Sequence, residues 1–199
     1  MKHMFYRNTA KPFLARLFAA LGIVFIWPVM LLISVLIKLD SPGKVLFIQK
    51  RIGKDGEIFN IYKFRSMQET EDEERTNMTD TYEDDPRITR VGKLIRKTSL
   101  DELPQLFNIL EGTMCFIGPR PLLPDYPVTY EEYQEEYKLR FLALPGMFCL
   151  VDTKYRAKAS FDLQCLLDVE YVEKMSFWLD IKIFFLTFRM VLMRKNIYK

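Results

Sequence analysis

Residues 17–37, LFAALGIVFIWPVMLLISVLI, decide the architecture. Arg16 and Lys38 bound the run, and Ser34 is its only clearly polar side chain. As a helix rising about 1.5 Å per residue it reaches roughly 31 Å, the thickness of a bilayer's hydrocarbon core. It is too long for a secretory leader and lacks a small-residue cleavage site, so membrane contact is expected. Whether it crosses is a separate question. Lys2, Arg7, Lys11 and Arg16 precede it, and Lys38, Lys44, Lys50 and Arg51 follow it. Positive charge marks the cytoplasmic side of a membrane segment, and both ends carry it. Pro28, near the midpoint, removes a backbone hydrogen bond and bends a helix. Both facts favour a re-entrant helix that returns to its own side. A plain transmembrane helix containing a proline is the alternative.

Beyond the turn Ser41-Pro42-Gly43 the chain changes character. VLFIQKRIGKDGEIFNIYKF reads as two β-runs around Lys54-Asp55-Gly56, a hairpin. Residues 69–85 are acidic, polar and aperiodic, as expected of a solvated loop. Residues 88–97 and 100–110 have helical spacing, with Leu94, Leu103, Leu106, Phe107 and Leu110 as core candidates. FIGPRPLLP (116–124) holds three prolines and must be a rigid turn or extended loop. TYEEYQEEYKLRFL (129–142) reads as a charged amphipathic helix closed by Pro145-Gly146. The last helix, SFWLDIKIFFLTFRMVLMRK, has two apolar faces when wound at about 100° per residue. The broad one carries Phe177, Trp178, Phe184, Phe185 and Phe188. The narrow one carries Ile183, Leu186 and Met190, and Asp180 and Thr187 run between them. Two apolar faces need two dry partners, here the protein core and a lipid surface.

The totals close off several functions. A balance of 29 basic and 26 acidic residues, net +3, is too weak for a nucleic-acid binder. Cys115, Cys149 and Cys165 are scattered, with no C-x-x-C spacing, and read as reduced buried thiols. The single histidine, His3, lies at the N-terminus, which excludes a histidine-based triad.

Within RKTSLDELPQLFNIL (96–110), Asp101 and Glu102 stand side by side at the head of a leucine-rich run. Ser99-Leu100-Asp101-Glu102 fits a capping box, a purely structural role. Pro104 disturbs that fit. The helix either kinks there or begins at Pro104 with both acids in the preceding turn. The neighbours favour chemistry: Arg96 and Lys97 precede the pair, and Lys63, Arg65 and Arg120 occur in nearby motif-like stretches. Carboxylates among cations suit phosphorus electrophiles, with the cations on the phosphate oxygens and the acid binding Mg2+ or attacking.

IFNIYKFRSM, DPRITRVGKLIRKTSLDELPQLFNILEGTM and FIGPRPLLP, with VEYVEKMSFWLDIKIFFLT near the C-terminus, carry a resemblance. The chain is similar to the small monotopic phosphoglycosyl transferases of the bacterial sugar transferase family over nearly its whole length. The resemblance implies an α+β fold. A re-entrant membrane helix and turn (1–43), bent at Pro28, would precede a compact, mainly helical catalytic domain (44–199) with a small hairpin and interfacial amphipathic helices. It implies transfer of a sugar-1-phosphate from a UDP-sugar to polyprenyl (undecaprenyl) phosphate, releasing UMP, by ping-pong catalysis through a covalent aspartyl-phosphosugar. That would be the first membrane step of glycoconjugate assembly. Asp101 matches the nucleophile, with a part in holding Mg2+, and Glu102 its partner. Lys63, Arg65, Arg96, Arg120 and Asp168 match residues of the substrate and phosphate site. The expected place is the cytoplasmic face of the bacterial inner membrane, in contact with lipid. Nucleic acid is not an expected partner, and self-association into a homo-oligomer stays open.

Two departures stand out. Trp27 precedes Pro28 where the family has serine. Residues 145–156, PGMFCLVDTKYR, keep only the opening Pro-Gly of a family stretch that continues with a glutamine and a Gly-Arg pair; Arg156 is a candidate for that arginine. The second departure motivates a rival reading, a non-catalytic membrane-anchored paralogue that binds polysaccharide-assembly partners. An unrelated Mg2+-dependent phosphatase is a third reading.

Overall fold

The computed structural model describes residues 2–68, 85–125, 127–153, 155 and 159–192. A helical turn, Lys2–Phe5, and a π-helical turn, Tyr6–Ala10, run into α1, Lys11–Asp40, which continues through Pro28. Among the described residues, Tyr6–Asp40 is the one helix long and apolar enough to cross a bilayer. Only 17% of its most apolar window is buried, unlike the core helix of a soluble protein. Ala15, Ala19, Met30, Ile33 and Ile37 face the protein, while Phe18, Val24, Phe25, Trp27 and Leu32 are exposed. The helix is therefore compatible with a membrane anchor.

The expected hairpin is present. Strands β1, Leu46–Ile52, and β2, Ile58–Phe64, pair antiparallel with Ile52 opposite Ile58. Asp55 (φ 55°) and Gly56 (φ 82°) take left-handed conformations in its turn, as an Asp-Gly turn favours. Next come α2, Arg90–Lys97, and α3, Gln105–Glu111. Thr89 caps α2, its Oγ1 accepting the Gly92 N–H at 2.9 Å. Strands β3, Cys115–Ile117, and β4, Gly146–Phe148, form a parallel pair that the sequence did not announce. A Cβ on Gly146 would lie 2.0 Å from the Gly118 nitrogen, so this contact needs glycine. The short helix α4, Glu135–Lys138, lies between these strands in sequence, and α5, Phe161–Lys174, and α6, Phe177–Leu192, follow. Helices around two small sheets make the fold α+β. All three cysteines are free and buried.

Two expectations need correction, and one left open is decided. The helix read over 129–142 shrinks to α4 and a 3-10 turn, Leu139–Leu142. Glu132 accepts bonds from the Thr129 nitrogen and hydroxyl at 2.8 and 3.0 Å, which closes a turn early. Tyr130, Tyr133 and Tyr137 then pack around Phe141 and Phe161. Leu106 is buried and Leu103 half-buried, but Leu94, Phe107 and Leu110 are exposed. Residues 100–110 are not one continuous helix but a 3-10 turn, Leu100–Glu102, followed by α3 from Gln105, so the phase assumed for Phe107 and Leu110 is lost. On α6 the broad aromatic face is exposed, and Ile183 is buried with Asp180 and Thr187, the stripe between the two faces. Residues 69–84 and Arg156 lie outside the described residues.

Candidate active site

Asp101 and Glu102 sit on a 3-10 turn, Leu100–Glu102, between α2 and α3. Ser99 precedes it in the left-handed conformation (φ 56°), unusual for a non-glycine residue. The capping box does not form, since Ser99 makes no side-chain cap bond. Pro104 is instead the N-cap of α3, so both acids occupy the turn before a helix that starts at the proline.

Asn108 of α3 fixes this turn against the hairpin. Its Oδ1 accepts the Tyr62 N–H at 3.0 Å and its Nδ2 donates to the Asn60 carbonyl at 2.7 Å, so the amide pairs like a strand with the edge of β2. Lys63, next along β2, then reaches the dyad: its Nζ lies 2.9 Å from Glu102 Oε1, each side chain 26% exposed. Burial pushes the Asp101 carboxyl up to about 6, with Glu102's charge adding to the rise. Lys63 and Arg96 pull it back, which places Arg96, in the last turn of α2, within electrostatic reach of the nucleophile candidate.

Arg120 lies on a turn tied down from several sides. Its N–H donates to Asp168 Oδ2 at 3.2 Å, and its carbonyl accepts from Arg140 Nη2 at 2.8 Å. The Pro121 carbonyl accepts from Arg51 Nη1 at 3.2 Å, and the Leu122 carbonyl from the Ile52 N–H at 2.9 Å. The Arg120 guanidinium meets Asp152 at 3.1 Å. Asp152 holds it charged against the cost of burial, and Glu102 acts in the same sense.

The predicted residues thus divide. Asp101, Glu102, Lys63, Arg96 and Arg120 share one electrostatic neighbourhood. Arg65 is engaged elsewhere. It is buried and donates to the Ser41 carbonyl and hydroxyl at 2.8 and 2.9 Å and to the Pro42 carbonyl. It holds the exit of α1. Asp168 is fully buried in α5 and ion-paired with the buried Arg140, so it supports the Arg120 turn from behind. Burial raises its carboxyl to about 6 despite that partner. Pro28 lies in α1 between the clusters around Ala15 and Ala19 and around Ile33 and Ile37.

Sequence reasoning missed Arg51, Arg140, Asp152 and Cys149. Arg51 lies in phase with the half-buried Phe47 and Gln49 of β1, but the stretch LFIQKRI puts apolar residues on both phases and gives no signal of it. Burial and the neighbouring Arg120 lower its pKa to about 10. Arg140 lies between apolar neighbours in KLRFL, the one clue to an internal charge.

Two carboxylates and several cations around one turn can hold a diphosphate and attack it. Among the described residues no three His, Cys, Asp or Glu side chains converge as a metal cage. The oxygen donors of Asp101 and Glu102 do fit Mg2+, which binds through one or two carboxylates and substrate phosphates.

The model of the bacterial sugar transferase family matches residues 6–194. A UDP-glucose:undecaprenyl-phosphate glucose-1-phosphate transferase of Xanthomonas campestris pv. campestris is 36% identical, over 97% of this chain and 41% of its own. A UDP-N-acetylgalactosamine-undecaprenyl-phosphate N-acetylgalactosaminephosphotransferase of Aeromonas hydrophila is 39% identical, over 87% of this chain and 41% of its own. A UDP-glucose:undecaprenyl-phosphate glucose-1-phosphate transferase of Escherichia coli (strain K12) is 38% identical, over 85% and 37%. The chain therefore spans about two-fifths of the length of these relatives.

Proposed function

The chain belongs to the bacterial sugar transferase family, and from that premise we propose that it moves a sugar-1-phosphate from a UDP-sugar to polyprenyl phosphate, opening glycoconjugate assembly. The observation that carries the reading is the Asp101–Glu102 turn, half-buried and ringed by Lys63, Arg96 and Arg120. An Asp101 carboxylate oxygen attacks the β-phosphorus of the donor. The phosphoanhydride bond breaks, and UMP leaves with its electron pair. A polyprenyl phosphate oxygen then attacks the same phosphorus, and the acyl phosphate bond breaks to return the Asp101 carboxylate. Lys63 holds Glu102 beside the nucleophile, and Arg120 and Arg96 meet the phosphate charge. Mg2+ held by Asp101, with Glu102 beside it, would neutralise charge on the diphosphate.

We place the site at the cytoplasmic face of the inner membrane, with α1 re-entrant about Pro28. The support is that both ends of α1 are bound to one body by polar contacts. Lys11 pairs with Asp180 at 2.8 Å, and Asp40 Oδ2 accepts the Val91 N–H at 2.9 Å. A straight crossing would drag one of these polar contacts into or across the bilayer.

Solubilised protein incubated with a panel of UDP-sugars, Mg2+ and undecaprenyl phosphate should release UMP, and without acceptor it should gain one phosphosugar mass at Asp101. Asp101→Asn turning over at the wild-type rate, or the adduct mapping elsewhere, would overturn the assignment.

A further inference from the structure

The described part of the stretch that departs from the resemblance, residues 145–153, meets the site where Asp152 contacts Arg120. Val151–Thr153 form a 3-10 turn, with the Asp152 N–H donating to the Cys149 carbonyl and the Thr153 N–H to the Leu150 carbonyl, both at 3.1 Å. Cys149 and Val151 are buried beneath it against Leu167 of α5, so the turn has a fixed base. Asp152 offers one oxygen to each of two neighbours: Oδ1 accepts from Arg120 Nη1 at 3.1 Å and Oδ2 from Cys149 Sγ at 2.7 Å. Its side chain is 14% exposed and that of Arg120 is 48% exposed. The carboxylate is thus fixed from behind, while about half of the Arg120 side chain stays open.

We infer that Asp152 is a positioning residue, which holds the Arg120 guanidinium ready for the donor's diphosphate, and that the Cys149 thiol fixes the carboxylate in that role. The inference rests on the proposed function and goes beyond it, since it gives this chain's divergent segment a role in donor binding. An arginine side chain loses much rotamer freedom when it grips a ligand. A fixed carboxylate removes that loss beforehand, so donor binding gains by preorganisation. An ion pair this exposed contributes little to folding, so its effect on substrate is separable from any effect on stability.

The test is a double-mutant cycle on full-length protein in detergent or nanodiscs, using Asp152→Asn, Arg120→Ala and the pair, with Asp152→Glu as the conservative control. Asp152→Asn should raise the KM for the UDP-sugar by roughly tenfold, the scale of a charge-assisted hydrogen bond, with kcat and melting temperature nearly unchanged. Asp152→Glu should recover part of the loss. In the Arg120→Ala background Asp152→Asn should add nothing. Losses that multiply in the double variant, or an Asp152→Asn enzyme with a lower KM, overturn the inference. Should Asp152→Asn melt early, Cys149→Ala and Cys149→Ser decide. A raised KM only in the alanine variant supports the role, and an unchanged KM in both removes it. A wild type that releases UMP from no donor sinks the proposed function itself and this inference with it. A wild type that turns over while the cycle multiplies sinks this inference alone.

Discussion

Asp101 and Asp168 show how one residue type serves two ends. Burial raises both carboxyls to about 6, but Asp101 sits in the acidic turn and Asp168 faces a single buried arginine. A carboxyl whose folded pKa lies above its unfolded value is tolerated while neutral, and its contribution to stability is lost as pH rises through the folded value. Asp101→Asn should therefore raise the melting temperature in metal-free buffer above about pH 6, and the gain should vanish toward the unfolded carboxylate value, about pH 4. Melting curves across that window check it; a gain that grows with acid would contradict the assignment. Asp168 answers differently, because its loss strands a charge. Asp168→Ala or Arg140→Ala should cost about 3–5 kcal/mol in denaturant unfolding, the usual result of orphaning a buried ion. Replacing both by apolar residues should cost less than the two single losses together. The motif acids and Lys63 were legible at this scale as local spacing. Arg140 was not, because nothing in its neighbours states that Asp168, distant in sequence, would meet it.

At the scale of elements, α6 carries the lesson. Winding the sequence located both apolar faces but not which one turns inward. Asp180 decides it. Lys11 Nζ, the Tyr6 hydroxyl and the Tyr171 hydroxyl approach its carboxylate at 2.8, 2.7 and 2.6 Å, so a charge that reads as solvent-facing is satisfied inside. The aromatic face is left outward, where Trp178 is 77% and Phe185 63% exposed. Trp178→Asp with Phe185→Asp should leave the melting temperature within a few degrees of wild type yet lower the bound fraction in liposome flotation. Ile183→Asp should instead destabilise the fold, because that side chain is wholly buried. The start of α3 makes the same point. The capping box and Pro104 gave conflicting signals, and the left-handed Ser99 resolves them by separating the acids from the helix.

For the whole molecule, the arrangement of α1 governs the rest. Its N-terminal half packs on the cluster with Leu106, Ile109 and Met114, and its C-terminal half on Phe64 and Ile95, so one helix spans the base of the site. If α1 is re-entrant, cysteines introduced at the exposed Asn8 and Lys38 should both react with an impermeant maleimide from the cytoplasmic side of oriented vesicles. Labelling from opposite sides would establish a crossing helix and reject the monotopic arrangement. By itself the sequence determined the apolar anchor, the hairpin, the rigid proline turn and the acidic pair. Each of these is encoded within a few residues by hydrophobic period, turn chemistry or the geometry of proline. Only the tertiary structure decided which charges gather at the candidate site and which lie behind or away from it. Arg65 leaves for the exit of α1, Asp168 withdraws behind Arg120, and Asp152 arrives from the divergent loop. Those choices depend on what burial costs each charge and which distant partner offsets it, and such pairings exist only once the chain has folded.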